Sequence, residues 1–550
     1  MFQWGIPLFL LNFLPIAWLN IHMFQTTQLG VLGVDFLFVL AGSLLYGWLL
    51  DAVPWRRTRK VLIGLSFLVC GLLFGLEAFT IWVYQAPVGA GIVTAILQTN
   101  PHEAVEYLRM YVGWKGALLL ILLAVVGAAG WRCAHRADVH LQQPPFSMPR
   151  WIPVLLAILC GACGWGLWTQ YHSFVVNDNL DIPVVRVALA SDTAITNIRA
   201  YEELEQEASA DVTITENGSE VPYVVFILGE STTRDRMHLY GYPLDNTPNL
   251  DELAAKGDIA VYRDAIAPAS ATVAVLRRLF TFSDLEAEQP WYTYNNLIDV
   301  MKAAGYRTYW LSNQESSGIW GNVAQLFARR ADVTRFAQLR ESHEDNGSLD
   351  EMLFPLVDEA LENPAEKNFY VVHLMGTHGQ YYMRYPYLFS KFTPADVPAP
   401  QDALPDDRRL EVAQYANAIY YNDFVVSSIM GKFQDKEAIV IYLPDHGEDL
   451  YDNGSSFAGH VEENPTRPTC DVPLIFWASP AYRAHHPEKW QAICAAVNRP
   501  YMTDDMIHTL LDLLDIRTPE YNPAKSVINA AFDAARHRVV HGKDYDTEIR

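Results

Sequence analysis

The first third of the chain consists of long apolar runs, whereas the remainder alternates short apolar stretches with polar, helix-patterned ones. Five runs, at about residues 5–24, 28–50, 61–85, 115–131 and 151–170, are nearly free of charge. The first three are at least 20 residues long, enough to cross a bilayer core as helix. The pattern predicts five transmembrane helices within residues 1–170. A cleaved signal peptide fits the first run poorly, because no basic stretch precedes it and further apolar runs follow.

Between runs three and four, residues 85–114 show helical apolar spacing (Ile92, Ile96, Leu97, Val105, Leu108) interrupted at Asn100-Pro101. This predicts two short amphipathic helices on the outer membrane surface, or a loop that merely caps the bundle. Residues 171–220 are polar and read as a linker, with a helix over 192–210 and a flexible turn over 211–220. From Val221 onward, strand-like runs at 221–228, 307–312, 368–374, 438–443 and 472–477 alternate with helical patterns at 293–304, 348–362, 408–432 and 503–514. The alternation predicts an α/β domain over 221–550 with a doubly wound, mainly parallel sheet.

Charge sharpens this division. Residues 1–200 carry 11 Lys+Arg against 9 Asp+Glu, while the rest carry 29 against 54, a net of −25. So acidic a domain argues against nucleic-acid binding. Arg56, Arg57, Arg59 and Lys60 lie between runs two and three, and Arg132, Arg136 and Arg150 between runs four and five. Positive charge marks the cytoplasmic loops, so the amino terminus is expected inside and the α/β domain outside, which in a Gram-negative cell is the periplasm. Cys70, Cys160 and Cys163 fall in the apolar runs and Cys133 at a membrane edge. Cys470 and Cys494 alone lie in the outer domain, either as a disulfide or as two free thiols.

The candidate chemistry gathers at strand ends. Leu443-Pro444-Asp445-His446-Gly447-Glu448 follows one apolar run, and Gly229-Glu230 ends another. Open α/β sheets bind ligands at such ends, and neighbouring carboxylate and imidazole groups can share a divalent metal. His378 and His460, both in glycine-containing polar turns, are two further candidate ligands. His373 lies on a strand and reads as a core histidine.

Four elements converge: Gly229-Glu230-Ser231, Pro268-Ala269-Ser270-Ala271-Thr272, Thr377-His378-Gly379, and Asp445-His446-Gly447 through Gly459-His460. With the block Thr232-Thr233-Arg234 through Leu239-Tyr240-Gly241-Tyr242-Pro243, they resemble the bacterial phosphoethanolamine transferases of the alkaline phosphatase/sulfatase fold. The branch that decorates lipopolysaccharide core is most similar, with the glucan-modifying branch a near neighbour. The resemblance implies zinc ligands at Glu230, Thr272, Asp445 and His446, with Thr272, placed by its spacing to Phe280, also the nucleophile. It implies that His378 and His460 hold the phosphate or a second zinc, leaving one ion or two open. Glu103 matches an acid used toward the lipid head group, and Asn313 is a further substrate-binding candidate.

The implied reaction moves phosphoethanolamine from phosphatidylethanolamine, through a covalent Thr272 intermediate, to a cell-envelope glycan or lipopolysaccharide, core sugar ahead of lipid A. The implied location is the bacterial inner membrane. Some positions depart from the pattern. Cysteines that flank the nucleophile loop in some members are replaced by Ala269, Arg277 and Arg278, so packing must hold that loop. A lysine of colistin-resistance members is Ser317, and an asparagine expected before Glu103 is Ala95. Alternatives on the same fold are a phosphoglycerol transferase, a phosphodiesterase or a periplasmic-glucan phosphoethanolamine transferase. A sulfatase would need a Cys/Ser-x-Pro-x-Arg context, which no cysteine of the outer domain has. A scaffold that had lost catalysis would have lost ligands, yet each position holds a competent residue. Thr232 and Thr233 are the rival nucleophiles.

Overall fold

The computed structural model describes residues 2–22, 29–84, 87–99, 151–173, 182–206, 212–314, 323–337, 349–452 and 458–549, with scattered positions between 116 and 149. It divides into a helical unit within residues 1–195 and an α/β unit from Thr196 onward.

The helical unit contains α1 (Phe2–His22), α2 (Leu29–Ala52), α3 (Arg56–Tyr84), α4 (Ala90–Gln98), α5 (Trp151–Ser173) and the start of α6 (Pro183–Gln206). Helix α1 packs on α2 and α3, and α2 packs on α5. Gly5 permits the first contact: a Cβ there would stand 2.9 Å from the Leu44 Cα. Trp4, Leu8, Leu50, Ile63 and Phe67 form the core between the helices, while Leu65, Leu68 and Leu72 of α3 face outward.

Among the described residues, two helical segments are long and apolar enough to cross a membrane, Gly33–Ala52 and Arg56–Tyr84; Gln3–Trp18 and Trp151–Trp165 are shorter apolar helices. This is fewer than the five expected spans, and the fourth run falls largely outside the described residues. Helix α4 occupies part of the 85–114 loop; residues 100–114, Glu103 included, lie outside them as well. Helix α6 begins at Pro183, ahead of the expected 192, because a proline at the first helical position has its φ preset and lacks only an N–H that would be unpaired anyway. Near its start, Arg186 forms a buried ion pair of 2.6 Å with Glu77 of α3.

The α/β unit is organised by seven strands: β1 (Tyr223–Gly229), β2 (Ile259–Tyr262), β3 (Arg307–Ser312), β4 (Val333–Phe336), β5 (Asn368–His373), β6 (Ala438–Pro444) and β7 (Leu474–Ala478). Their order is β2-β7-β6-β1-β5-β3-β4. Strands β6, β1, β5, β3 and β4 are mutually parallel. Strand β7 runs antiparallel to both β6 and β2, so the sheet is mixed rather than wholly of one direction. The five expected strands are the central ones, buried along nearly their whole length and therefore uninterruptedly apolar. Strands β2 and β4 have only four residues each and carry too short a pattern to stand out.

The principal helices of this unit are α7 (Pro248–Lys256), α8 (Thr272–Leu279), α9 (Leu297–Ala303), α10 (Val323–Arg330), α11 (Leu353–Glu362), α12 (Asp406–Gly431) and α13 (Met506–Leu513). Phe280, at the end of α8, is fully buried, with its ring 5.9 Å from Phe226 of β1 and 5.3 Å from both Trp310 and Phe327. This aromatic wedge fixes α8 to the sheet where cysteines are missing. The 211–220 segment is pinned rather than flexible, since Glu216–Asn217 pairs with Ile516–Arg517.

Candidate metal and transfer centre

Glu230 directly follows β1 and Asp445 directly follows β6, so the two acids emerge side by side at the carboxyl ends of adjacent parallel strands. Both are buried, as is His446, while Thr272, the first residue of α8, is half-buried. The Thr272 Oγ1 lies 3.4 Å from Glu230 Oε1 and 3.3 Å from His446 Nε2. His446 Nε2 is also 3.4 Å from both Glu230 Oε1 and Asp445 Oδ2. Four donors from three chain segments therefore converge on one point.

The neighbours orient these donors toward that point. His446 donates its Nδ1 hydrogen to the Gly447 carbonyl at 2.8 Å, which leaves a lone pair on Nε2 facing the cluster. Asp445 Oδ1 accepts from the amides of His446 and Ser231, at 2.7 and 3.2 Å. Its buried Oδ2 has no hydrogen-bond partner. The Gln314 amide donates to Glu230 Oε2 at 3.1 Å, and the Ser231 hydroxyl to Oε1 at 3.0 Å. Burial, and then the Asp445 charge, raise the Glu230 carboxyl well above the usual carboxylate range. Burial likewise lowers the His446 imidazole. Two buried acids, an orphaned carboxylate oxygen, a metal-ready imidazole tautomer and a hydroxyl suit a divalent cation, and zinc in particular.

The second histidine pair lies beside this cluster. The His460 ring is 4.0 Å from that of His446 and 6.4 Å from that of His378. His460 donates from Nδ1 to Glu448 Oε2 at 2.8 Å, and the Tyr381 hydroxyl donates to Glu448 Oε1 at 2.7 Å. Burial alone would lower the His460 pKa; the Glu448 charge and hydrogen bond, with Asp445, instead carry it above its ordinary value. His378 has no such acid, and burial followed by the Arg384, His460 and His446 charges lowers it well below.

Other sequence candidates lie elsewhere. Asn313 is fully buried and donates to Asp350 Oδ1 at 2.8 Å; it is Gln314 that reaches the cluster. Asp350 also accepts from the Met375 and Gly376 amides, so Asn313 helps shape the loop before His378. The Thr232 hydroxyl bonds to the Glu230 carbonyl and the Thr377 hydroxyl, and the Thr233 hydroxyl is buried without a partner. His373 sits in the core at 3.3 Å from the Ser312 hydroxyl, where burial lowers its pKa to about 4. Cys470 is buried and Cys494 exposed, and both are free thiols. Gln314, Glu448 and Tyr381 were missed as site residues. Glu448 alone carried a signal, as the acid two residues after His446.

The sulfatase family model matches residues 222–516. Phosphoethanolamine transferase CptA of Salmonella typhimurium is 29% identical over 526 residues, covering 90% of this chain and 87% of the relative. The zinc complex of the C-terminal periplasmic domain of EptC from Escherichia coli is 31% identical with a TM-score of 0.57, covering 62% of this chain and 97% of that domain. The integral membrane protein lipooligosaccharide phosphoethanolamine transferase A of Neisseria meningitidis shares the fold along 95% of this chain and 97% of its own, with 21% identity and a TM-score of 0.67. Matched by the family model over more than half its length, and by these relatives over most of it, the chain belongs to the sulfatase family, among its phosphoethanolamine transferases.

Proposed function

We propose that this protein transfers phosphoethanolamine from phosphatidylethanolamine to a cell-envelope glycan or lipopolysaccharide, with core sugar as acceptor ahead of lipid A. One observation carries the reading: a half-buried threonine hydroxyl at a helix start stands within 3.4 Å of a buried carboxylate and an imidazole of a metal-competent cluster. Glu230, Thr272, Asp445 and His446 hold one zinc on this reading; His378 and His460 face the phosphate or share a second ion. Bound there, zinc would supply Lewis acidity that lowers the pKa of the Thr272 hydroxyl and polarises the phosphoryl group.

The chain's own residues perform the displacements. Thr272 Oγ gives up its proton and attacks the donor phosphorus, the bond from phosphorus to the diacylglycerol oxygen breaks, and that oxygen leaves having taken up the proton released by Thr272. An acceptor hydroxyl then attacks the phosphorus of phosphoethanolamine-Thr272, and the bond to Oγ breaks, returning the threonine. The backbone amides of the first turn of α8, whose Ala271 cap offers no side-chain bond, favour the negative charge that builds beside Thr272. His460, held by Glu448, is suited to take the acceptor proton and return it to the threonine. His378 stays neutral and donates to phosphoryl oxygen.

The same reading places residues 1–170 in the inner membrane as five spans, 171–220 as linker and 221–550 as the periplasmic catalytic domain, with Glu103 in the 85–114 loop toward the head group. Alkaline phosphatase fused after residue 200 should be active and fused at Arg57 inactive; the reverse would overturn the topology. Mass spectrometry of lipopolysaccharide core, lipid A and periplasmic glucans from deletion and complemented cells tests the transfer. Phosphoethanolamine lost from core sugar on deletion and restored by the gene is the expected outcome. A change confined to a glycerol-phosphate substituent would point to the phosphoglycerol alternative.

A further inference from the structure

Among the described residues of the α/β unit, Met352, Tyr382, Tyr387, Leu388 and Leu410 are the strongly exposed large apolar side chains, and three of these five follow His378 in one connection. Tyr387 and Leu388 are 90% and 91% exposed. They form the tip of a tightly mounted turn (Tyr387–Phe389) rather than a loose coil. The Phe389 ring packs at 5.5, 4.9 and 5.3 Å from Tyr420, Tyr421 and Phe424 of α12. Just beyond, Asn417 Oδ1 accepts from the amides of both Lys391 and Phe392. The fold thus spends aromatic packing and buried hydrogen bonds on holding two apolar side chains out into solvent.

Charge in this stretch departs from the rest of the domain. Lys367 to Ala395 contains no Asp or Glu, although residues 201–550 carry a net charge of −25; of the basic residues flanking the tip, Arg384 is buried and donates to the His378 and Gly379 carbonyls. Lys391 lies 3.1 Å from Asp245 and 4.7 Å from the Tyr420 ring centroid. With no acid of its own and Lys391 neutralising the neighbouring Asp245, the apolar tip presents no like charge to an anionic, apolar surface. Two side chains are far too few for a stable protein partner, which needs roughly 800 Å² on each side. Phenol and isobutyl groups side by side suit the boundary between lipid head groups and acyl chains, where tyrosine belts gather. The same chain carries two helices long and apolar enough to cross a membrane, which on the reading proposed above makes a bilayer the surface of that kind at hand.

We infer that Tyr387 and Leu388 form a wedge that enters the head-group layer of the bilayer, seating the connection that carries His378 on the membrane that holds the lipid donor. The identity of that donor rests on the function proposed above; the wedge itself rests on the exposed, firmly mounted apolar tip of a stretch that carries no acid of its own.

The test uses full-length protein in nanodiscs of phosphatidylethanolamine and phosphatidylglycerol. A photo-crosslinking amino acid at position 388 should yield phospholipid adducts, and the same probe at the exposed edge-strand position 335 should yield none. The double variant Tyr387→Ser with Leu388→Ser should transfer from bilayer phosphatidylethanolamine about tenfold more slowly, the loss expected from removing one apolar insertion. Its transfer from a water-soluble short-chain phosphatidylethanolamine should be unchanged. Absence of lipid adducts at 388, adducts there to a protein instead, or equal rates or equal losses with the two donors would overturn the wedge. Wild-type protein that transfers from neither donor would refute the proposed function, while the crosslinks would still decide the wedge.

Discussion

Glu448 Oε2 lies 2.8 Å from His460 Nδ1, and this one bond distinguishes two otherwise similar histidines beside the cluster. His460 gains an acid that fixes its tautomer, whereas His378 gains none and stays neutral. Glu448→Ala should therefore lower the transfer rate by about 10–100-fold while leaving zinc on the four-donor cluster. Steady-state kinetics beside metal analysis of the purified variant checks this. Unchanged kcat would remove Glu448 from the chemistry.

Gly447 links the two halves of the centre, between His446 and Glu448. A Cβ at this position would stand 2.1 Å from the Pro468 carbonyl and 3.1 Å from the Thr233 Cβ. Gly447→Ala must displace backbone on one side or the other, at about 1–3 kcal/mol for overpacking. It should lower Tm by several degrees and cost both zinc and transfer. Gly431→Ala, where nothing lies within 4 Å of the added methyl, is the control and should be close to neutral. Equal behaviour of the two variants would show that the 445–448 turn tolerates movement.

What the sequence made legible follows from burial. Strands β1, β5 and β6 are continuous apolar runs because both faces are covered, and the donors that follow them, Glu230, Asp445 and His446, stand out as polar residues at the ends of those runs. Strands β2 and β4 are too short to stand out, and the reversal of β7 leaves no trace in its composition, since an antiparallel strand inside a covered sheet is as apolar as a parallel one. Thr272 was found only through family resemblance: a threonine in Ser270-Ala271-Thr272 looks like any helix start. Gln314 and Tyr381 reach the centre from loops whose path no local pattern encodes. The apolar runs at the amino-terminal end announce membrane, yet their number as spans depends on helix lengths that the described residues give for two.

Acid should destabilise the α/β unit partly through His508. This side chain is buried, its Nδ1 accepts the Asn522 amide at 3.2 Å, and burial followed by the Lys525 charge lowers its pKa to about 3. The folded state therefore binds the proton later than the unfolded chain, whose imidazole titrates at about 6.5. The stability from neutral His508 is fully present above that value and is lost as pH falls toward 3, with a slope of at most about 1.4 kcal/mol per pH unit. His508→Gln keeps an acceptor for Asn522 without the titration. Unfolding curves at pH 7 and pH 4.5 should differ less for the variant than for the wild type; an equal difference would assign the acid sensitivity elsewhere.

Thr272 should carry phosphoethanolamine during turnover. Its hydroxyl alone among the three candidate threonines faces Glu230 Oε1 and His446 Nε2; Thr232 turns toward Thr377, and Thr233 is enclosed. A lipid donor and a bulky sugar acceptor compete for one crevice, and two successive displacements let each occupy it in turn. Thr272→Ala should fold and retain zinc through Glu230, Asp445 and His446, yet lose transfer by about 1,000-fold or more, as nucleophile deletions do. Thr272→Ser keeps the hydroxyl but loses the methyl that restricts its rotamer, and should retain about a tenth of the rate. Wild-type protein incubated with phosphatidylethanolamine and no acceptor should yield a peptide bearing phosphoethanolamine on Thr272 by mass spectrometry. An adduct on Thr232 or Thr233 with none on Thr272 would show that the hydroxyl nearest the cluster is a ligand alone and that attack comes from the neighbouring turn.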